Sequence, residues 1–515
     1  MRRIGRVGFL LALLAVALQP LLSDAQGAPI KAEDKRMPKI TEAREGAFRC
    51  DTAPALLVGK SLADSPAFLP LQERLQSRFQ ATMAPARPDG QLPGSPFILI
   101  GLAQDHPALR QLLADHQAKL PKGGLGPEGY ILDITPARVL IAASQPAGAF
   151  YGALALLERD TAAEKGLTIP AGTVADWPTM GWRGMHLLVN SRADLPNLET
   201  LITEYLPQLR LNQLILEINY HFQYRSHPEI TEGDALTRDD CRHLKELADK
   251  HFVRLIPMIN CLGHQSWAEH TAQLLKSHPE FDETPDYPAD NKGIYCRSWC
   301  PSHPDINKVV FALIDELVDA FDAKAFHVGM DEVFILGQCP RCKGTENARL
   351  FAKAVNDLHG HIVGARKLQM LMWGDRFLDG DATKYGEWEA SKNGTAAAID
   401  LVPKDIILCD WHYETSYGGA PATYPSVRLF QDKGFRVWPS GWRTEENVRM
   451  LTGCALQNQS DRMVGYLATT WSGAGNIVGG LSGSVPPPQG RENRGDLPAA
   501  IRKGAQIAWE GKVGT

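Results

Sequence analysis

Two adjacent carboxylates, Asp331 and Glu332, follow the apolar run Ala325 to Val328 and are themselves followed by Val333, Phe334 and Ile335. If Ala325 to Met330 is a buried parallel strand, the pair sits at its carboxyl end, where α/β barrels keep their chemistry. Paired acids are the usual equipment for cleaving a glycosidic bond. Consecutive residues of a regular strand point to opposite faces, so both acids can face one pocket only if the strand ends, twists or bulges at Met330. Taken alone, an Asp-Glu dipeptide is more often the opening of a surface turn. The surrounding elements decide between these readings.

Beyond Trp177-Pro178, short apolar runs alternate with helical patterns. Eight runs read as strands: Met185 to Val189, Gln213 to Ile218, Val253 to Ile259, Ala325 to Met330, Gln369 to Trp373, Ile406 to Asp410, Arg436 to Pro439 and Gly465 to Thr470. Helix candidates between them include Leu198 to Leu209, Arg238 to Lys250, Ile306 to Phe321, Ala348 to Gly364, Ser426 to Lys433 and Glu445 to Gln457. The fold class is therefore α/β, with a (β/α)8 TIM-type barrel over residues 177–484. An open doubly wound sheet is the alternative, but no Gly-rich phosphate loop follows the first strand. The strand exits present Arg183 nearby, Asn219, His264, Asp331 with Glu332, Trp373 with Asp375, Trp411 with Tyr413, and Trp471. Tryptophan faces with a few polar groups suit a sugar-sized pocket, although each tryptophan alone could equally be core.

A small α/β domain over residues 51–176 is expected to precede the barrel, with a strand at Phe97 to Leu102, a helix at Ala108 to Leu120, a hairpin from Tyr130 to Ala142 and a helix at Ala147 to Arg159. Residues 26–50 read as a charged N-terminal extension, and 485–515 as a Pro-rich linker with a last helix, Leu497 to Trp509. The stretch from Gly263 to His303 is a long insertion between the third and fourth strands. Residues 1–25 carry Arg2, Arg3 and Arg6, the apolar run Val7 to Leu18, and Ser23 and Ala25 at a peptidase-preferred spacing. They read as a cleaved signal peptide, which implies a periplasmic or extracellular protein. Later in the chain nothing is long and apolar enough to span a membrane. A net charge of -5 without a basic block argues against nucleic acid as a partner.

Of nine cysteines, Cys296 and Cys300 form a C-x3-C pair and Cys339 and Cys342 a C-x2-C pair, both in loop-like sequence. The four could gather one structural zinc, oxidise to disulfides or stay unpaired thiols; a zinc would have no catalytic role, since four thiolates leave no open coordination position.

Trp182-Arg183-Gly184, Ile256 through His264, His327 to Val333 and Met372-Trp373-Gly374-Asp375 together resemble the successive motifs of the glycoside hydrolase family 20 β-N-acetylhexosaminidases, most closely the hexosaminidase D-like branch. The segments Glu128 to Leu132 and Ala147 to Gly152 resemble the non-catalytic domain that precedes the barrel there, so the resemblance covers roughly residues 50–480. It implies an exo-acting retaining glycosidase that removes terminal β-linked N-acetylhexosamine from a glycan or glycoconjugate, without a cofactor. Catalysis in that family is substrate-assisted. Glu332 would be the general acid and then the base. Asp331 would hold the 2-acetamido group while its carbonyl oxygen attacks C1 to give an oxazolinium intermediate. Of the remaining strand-exit residues, Arg183 resembles an arginine that binds sugar hydroxyls, and Tyr413 a tyrosine that donates to the acetamido oxygen. Trp373, Trp411 and Trp471 resemble the walls of the sugar site. His264 and Asp375 complete the expected substrate-binding set, and His327 would orient its neighbours.

The chain departs from that pattern at Leu187-Leu188-Val189, at Asn219-Tyr220 and at Ser472-Gly473, where family members carry acids that bind outer hydroxyls. Gluco or galacto preference is therefore open, as are the natural linkage and the oligomeric state. Two alternatives stand beside this reading: an N-acetylglucosaminidase of family 84 type, which usually carries Asp-Asp where Asp331-Glu332 stand, and a catalytically silent carbohydrate-binding barrel.

Overall fold

The computed structural model describes residues 37–50, 52–87, 90–94, 96–159, 161–162, 167–267, 269–484 and 496–513. Eight parallel strands close on themselves: Trp182–Leu188, Gln213–Glu217, Arg254–Cys261, Ala325–Gly329, Gln369–Trp373, Ile407–Trp411, Arg436–Gly441 and Gly465–Ala468, the last pairing with the first. The fifth has the bounds its sequence suggests, and the others shift by at most three residues. Ile215, Ile256, Met258, Ala325, Leu371, Ile407, Trp438 and Leu467 fill the barrel interior. Gly184 makes room for the largest of them: a Cβ there would lie 2.3 Å from the Trp438 ring.

The outer helices follow from amphipathic spacing. In Arg238–Lys250, Cys241, Leu244 and Ala248 turn inward, and Thr237 and Asp240 close a capping box at the start. After the fifth strand there is no long helix among the described residues, but three short pieces: the 3-10 turn Asp375–Phe377, Gly380–Thr383 and the 3-10 turn Thr395–Asp400. That irregular stretch brings Trp388 and Glu389 to the barrel mouth.

The first domain is a mixed sheet in the order Ile40–Cys50, Leu167–Asp176, Tyr130–Ile134, Arg138–Ala143, Phe97–Leu102, Ala55–Val58 and Met83–Pro85. The expected Phe97 strand and Tyr130 hairpin are both present. Residues 26–50, however, are not all extension. Ile40–Cys50 is an eleven-residue strand antiparallel to Leu167–Asp176, with a bulge between Ala43 and Ala47 that broke the apolar alternation in the sequence. The C-terminal helix, Leu497–Glu510, is likewise no appendage. It packs on Glu445–Gln457 and the eighth strand, and buries Trp509 in the core of the first domain. The signal peptide and the Pro-rich linker fall outside the described residues.

Arg183 is the first correction at the site. It is the second residue of the first barrel strand, at the amino end, about 16 Å of extended chain from the carboxyl end at Leu188. It is fully buried between the two domains, where it makes a two-pronged ion pair with Glu128 at 2.8 and 2.9 Å. Its remaining protons go to the carbonyls of Met180, Gly181 and Arg210, and its guanidinium lies 5.0 Å from the Trp509 ring centroid. Arg183 therefore joins the domains and does not reach the cleft.

Candidate active site

The cleft at the carboxyl ends of the strands is lined by Asp331, Glu332, His264, Trp411, Tyr413 and Trp471 among the sequence-derived candidates. Both acids reach it because the fourth strand stops at Gly329. Gly329, Met330 and Glu332 all take positive φ, at 64°, 70° and 50°. Left-handed backbone reverses the alternation of a strand and costs energy for residues with a Cβ. The same strain recurs at Asn219, Leu262, His264 and Trp471, all at or just past strand exits around this mouth. Gly329 is the one place in the turn where nothing larger fits, since a Cβ would lie 2.0 Å from Asn260 Oδ1. His327 helps to close the turn, its Nδ1 accepting the Gly329 N–H at 3.0 Å. Burial, with His186 adding to it, holds the His327 imidazole well below its usual pKa, which keeps Nδ1 an acceptor.

Beside the acids stands His264, with Nε2 3.2 Å from Asp331 Oδ2 and 3.3 Å from Glu332 Oε2. These are ion-pair distances, but neither contact is aligned as a hydrogen bond. Burial works against the imidazolium, yet Asp331 and then Glu332 outweigh it and hold the pKa well above the usual value. His264 thus stands between the two acids, and they favour its charged form.

Asp375 and Trp373 lie behind the acids, outside the cleft lining. Asp375 is 2% exposed; its Oδ2 accepts the Glu332 N–H at 3.0 Å and the Arg376 Nε–H at 2.6 Å. Burial raises its pKa, Arg376 pulls it down and Asp331 pushes it up again. It is a positioning residue for Glu332, not a direct sugar ligand. Trp373 is fully buried and packs beneath Trp471, His186 and His327, so it forms the floor under the pocket, not a wall.

Tyr413 is held from both ends. Its backbone N–H donates to Glu389 Oε1 at 3.0 Å, and its phenol oxygen accepts from Trp471 Nε1 at 2.6 Å. Because an indole nitrogen can only donate, that bond leaves the phenol proton for another acceptor. Trp411 stacks beside it with ring centroids 5.0 Å apart.

Several lining residues had no signal in the sequence. Glu389, 6% exposed, takes Tyr413 N–H, His412 Nδ1 and the Tyr417 hydroxyl. Burial lowers the His412 pKa, but Asp410 and Glu389 raise it further, to about 9. On the opposite wall, Glu217 is held by His186 Nε2 at 2.9 Å, Asn260 Nδ2 at 2.8 Å and Asn219 Nδ2 at 3.0 Å. At the rim, Trp267 and Trp388 are exposed and Tyr295 packs between them, at 5.2 and 5.1 Å. Glu389, Trp267, Tyr295 and Trp388 come from irregular segments whose path no periodicity fixes, whereas Glu217 ends an apolar run and could have been flagged there.

The four cysteines do not converge as a set. Cys300, Cys339 and Cys342 come together, but Cys296 points to the acids, its Sγ 3.5 Å from the Glu332 carbonyl. The chain turns between Cys296 and Cys300 so that Arg297 can tie the insertion together through Asp282, Thr284, Asn291 and Pro288. No disulfide forms among the described residues.

A closed parallel barrel that turns an acid pair into its mouth places two carboxylates where α/β barrels keep their chemistry, an arrangement suited to glycosidic bond cleavage. The catalytic-domain model of glycosyl hydrolase family 20 matches residues 212–475, and the model of that family's domain 2 matches residues 37–177. The chain belongs to glycosyl hydrolase family 20, which sets the family 84 alternative aside.

Similar proteins include a lacto-N-biosidase of Bifidobacterium bifidum, 29% identical over 219 residues, covering 42% of this chain and 18% of that protein. A beta-hexosaminidase of Akkermansia muciniphila is 26% identical over 273 residues, covering 47% and 52%. The matched part spans about half or less of these relatives' length. Among solved structures, Flavobacterium johnsoniae chitobiase superposes with a TM-score of 0.63 at 18% identity, covering 92% of this chain and 69% of that one. The Bacteroides fragilis beta-N-acetylhexosaminidase gives 0.62 at 15% identity, covering 92% and 90%. At these identities the likeness is one of fold.

Proposed function

We propose that the chain is an exo-acting, retaining β-N-acetylhexosaminidase that removes terminal β-linked N-acetylhexosamine from a glycan or glycoconjugate. The observation that carries this is the unequal setting of two adjacent acids: both meet His264, while Asp375 fixes the backbone of Glu332 alone. In the proposed reaction Glu332 gives its proton to the glycosidic oxygen as the C1–O bond breaks. The substrate's acetamido carbonyl oxygen forms the new bond to C1, and Asp331 accepts the amide N–H. The positive charge that develops on the oxazolinium lies against Asp331. The phenol proton of Tyr413, which Trp471 cannot accept, would go to the acetamido oxygen. Glu332, now a carboxylate, takes a proton from water as that water opens the ring at C1, so the anomeric configuration is retained. No cofactor enters this scheme.

Trp411, Tyr413 and Trp471 would enclose the acetyl group and the sugar ring above the Trp373 floor. Glu217, with Asn219 and Asn260, would bind the outer hydroxyls that Leu188 and Ser472 cannot. The motif resemblance supports a place in the hexosaminidase D-like branch, and the N-terminal charge and apolar pattern supports export to the periplasm or beyond. The test is a panel of aryl N-acetyl-β-glucosaminides, N-acetyl-β-galactosaminides and plain β-glucosides. Cleavage of the 2-acetamido substrates alone is expected. Cleavage of nothing would favour a silent carbohydrate-binding barrel.

A further inference from the structure

Glu283 lies in the long insertion after the third barrel strand, and it is fully buried. Its Oε1 accepts the backbone N–H groups of Gln338 and Cys339, at 2.8 and 3.4 Å, while its Oε2 has no hydrogen-bond partner. Among the described residues no lysine, arginine or histidine forms an ion pair with it. The neighbouring cations of the chain, Arg341 and Lys343, are exposed. A buried carboxyl oxygen without a partner is costly, and a bound cation is a group that would answer it.

Three thiols face that carboxylate. Cys300 Sγ lies 3.3 Å from Cys339 Sγ and 3.5 Å from Cys342 Sγ, all three residues are at most 2% exposed, and one ligand atom from each of the four residues falls within 4.8 Å of the others. A tetrahedral zinc site with metal–sulfur bonds of about 2.3 Å has edges of about 3.8 Å. The sulfurs are thus already near the spacing that one ion would set. Cys339-Pro340-Arg341-Cys342 forms a tight turn, with the Cys342 and Lys343 N–H groups donating to the Cys339 carbonyl. A disulfide would use two thiols and leave the third, and the carboxylate, as they are. A single cation answers all four.

We propose that Glu283, Cys300, Cys339 and Cys342 form a structural site for one zinc-like divalent cation, which clips the insertion carrying His264, Trp267 and Tyr295 to the loop that follows Asp331 and Glu332. Cys296 is not a ligand. With four protein ligands the site has no open position, so it shapes the cleft and takes no part in bond breaking. This holds whatever the cleft cleaves.

Metal analysis of the natively purified chain, without chelator, tests it. About one zinc per chain is expected, released when a mercurial titrates the thiols. Glu283→Ala and Cys342→Ala should lose the metal, and Cys296→Ala should keep it. Should the first two variants fail to fold, the cobalt-exchanged wild type decides: thiolate-to-cobalt charge-transfer bands are expected, and their absence contradicts the site. A metal-free wild type, with its thiols free or oxidised, overturns the proposal. Full metal content in Cys342→Ala or Glu283→Ala overturns the ligand set.

Discussion

At the scale of single residues, the site is governed by which side chain supports which. Tyr413 is held by Trp471, Thr469 and Glu389, and the indole bond leaves its phenol proton for an acceptor other than Trp471. Under the proposed mechanism that proton stabilises charge developing on the acetamido oxygen. Tyr413→Phe should therefore lower kcat by about 10²-fold or more with little change in KM, as removal of an oxyanion donor does. Steady-state kinetics on an aryl N-acetyl-β-glucosaminide checks this; an unchanged kcat would remove Tyr413 from the mechanism. Gly329→Ala should destabilise the fold by roughly 2–4 kcal/mol, because the new Cβ meets Asn260 and the backbone must keep a positive φ. Denaturant unfolding measures that.

Much of the cleft was legible at this scale. Asp331, Glu332, His264, Trp411, Tyr413 and Trp471 line it, and the demand that the chain leave strand geometry at Met330 is met by three positive φ values. Arg183 was misassigned although the signal was there: it precedes the run Met185 to Val189, and a residue before a parallel strand lies at the end away from the site. Glu389 and the rim aromatics could not be read, because their loops are placed by tertiary contacts alone.

At the scale of elements, the sixth strand and the irregular stretch after the fifth are locked through a buried cation. His412 sits between Glu389 and Asp410, with Ser426 Oγ 2.8 Å from its Nε2. Its folded pKa of about 9 lies above the unfolded value of about 6.5. The stability it contributes is therefore fully present below about pH 6.5 and is lost as pH rises through 9. The shift bounds that contribution at about 3 kcal/mol. Thermal melts from pH 6 to 10 should show wild type losing Tm more steeply than His412→Gln; parallel curves would contradict the assignment. The helices Arg238–Lys250 and Glu445–Gln457 were legible because capping and amphipathic spacing agree there. The strand Ile40–Cys50 was not, because its bulge breaks the period and only one of its residues, Phe48, is fully buried.

At the scale of the whole molecule, the two domains are held by a buried charge pair and by the C-terminal helix. Arg183 bonds to Glu128 across the interface and rests on Trp509. Removing one partner of a buried pair typically costs 3–5 kcal/mol. Arg183→Met should lower stability by about that much and leave KM unchanged in the folded fraction; a raised KM at unchanged stability would return Arg183 to substrate binding. The barrel and its preceding α/β domain could be read from the order of apolar runs. Their junction could not, since it joins Glu128, Arg183, Asn212 and Trp509 from distant parts of the chain.

The central claim is that Glu332 moves the proton while Asp331 manages a nucleophile belonging to the substrate. The most direct measurement compares Glu332→Gln and Asp331→Asn on two N-acetyl-β-glucosaminides, one with a leaving group that needs no proton and one with an alkyl leaving group. Glu332→Gln should retain much of its activity on the first and lose it on the second, whereas Asp331→Asn should be severely impaired on both. Equal losses for the two variants on both substrates, or wild-type cleavage of a plain β-glucoside as fast as its 2-acetamido counterpart, would contradict the unequal pair.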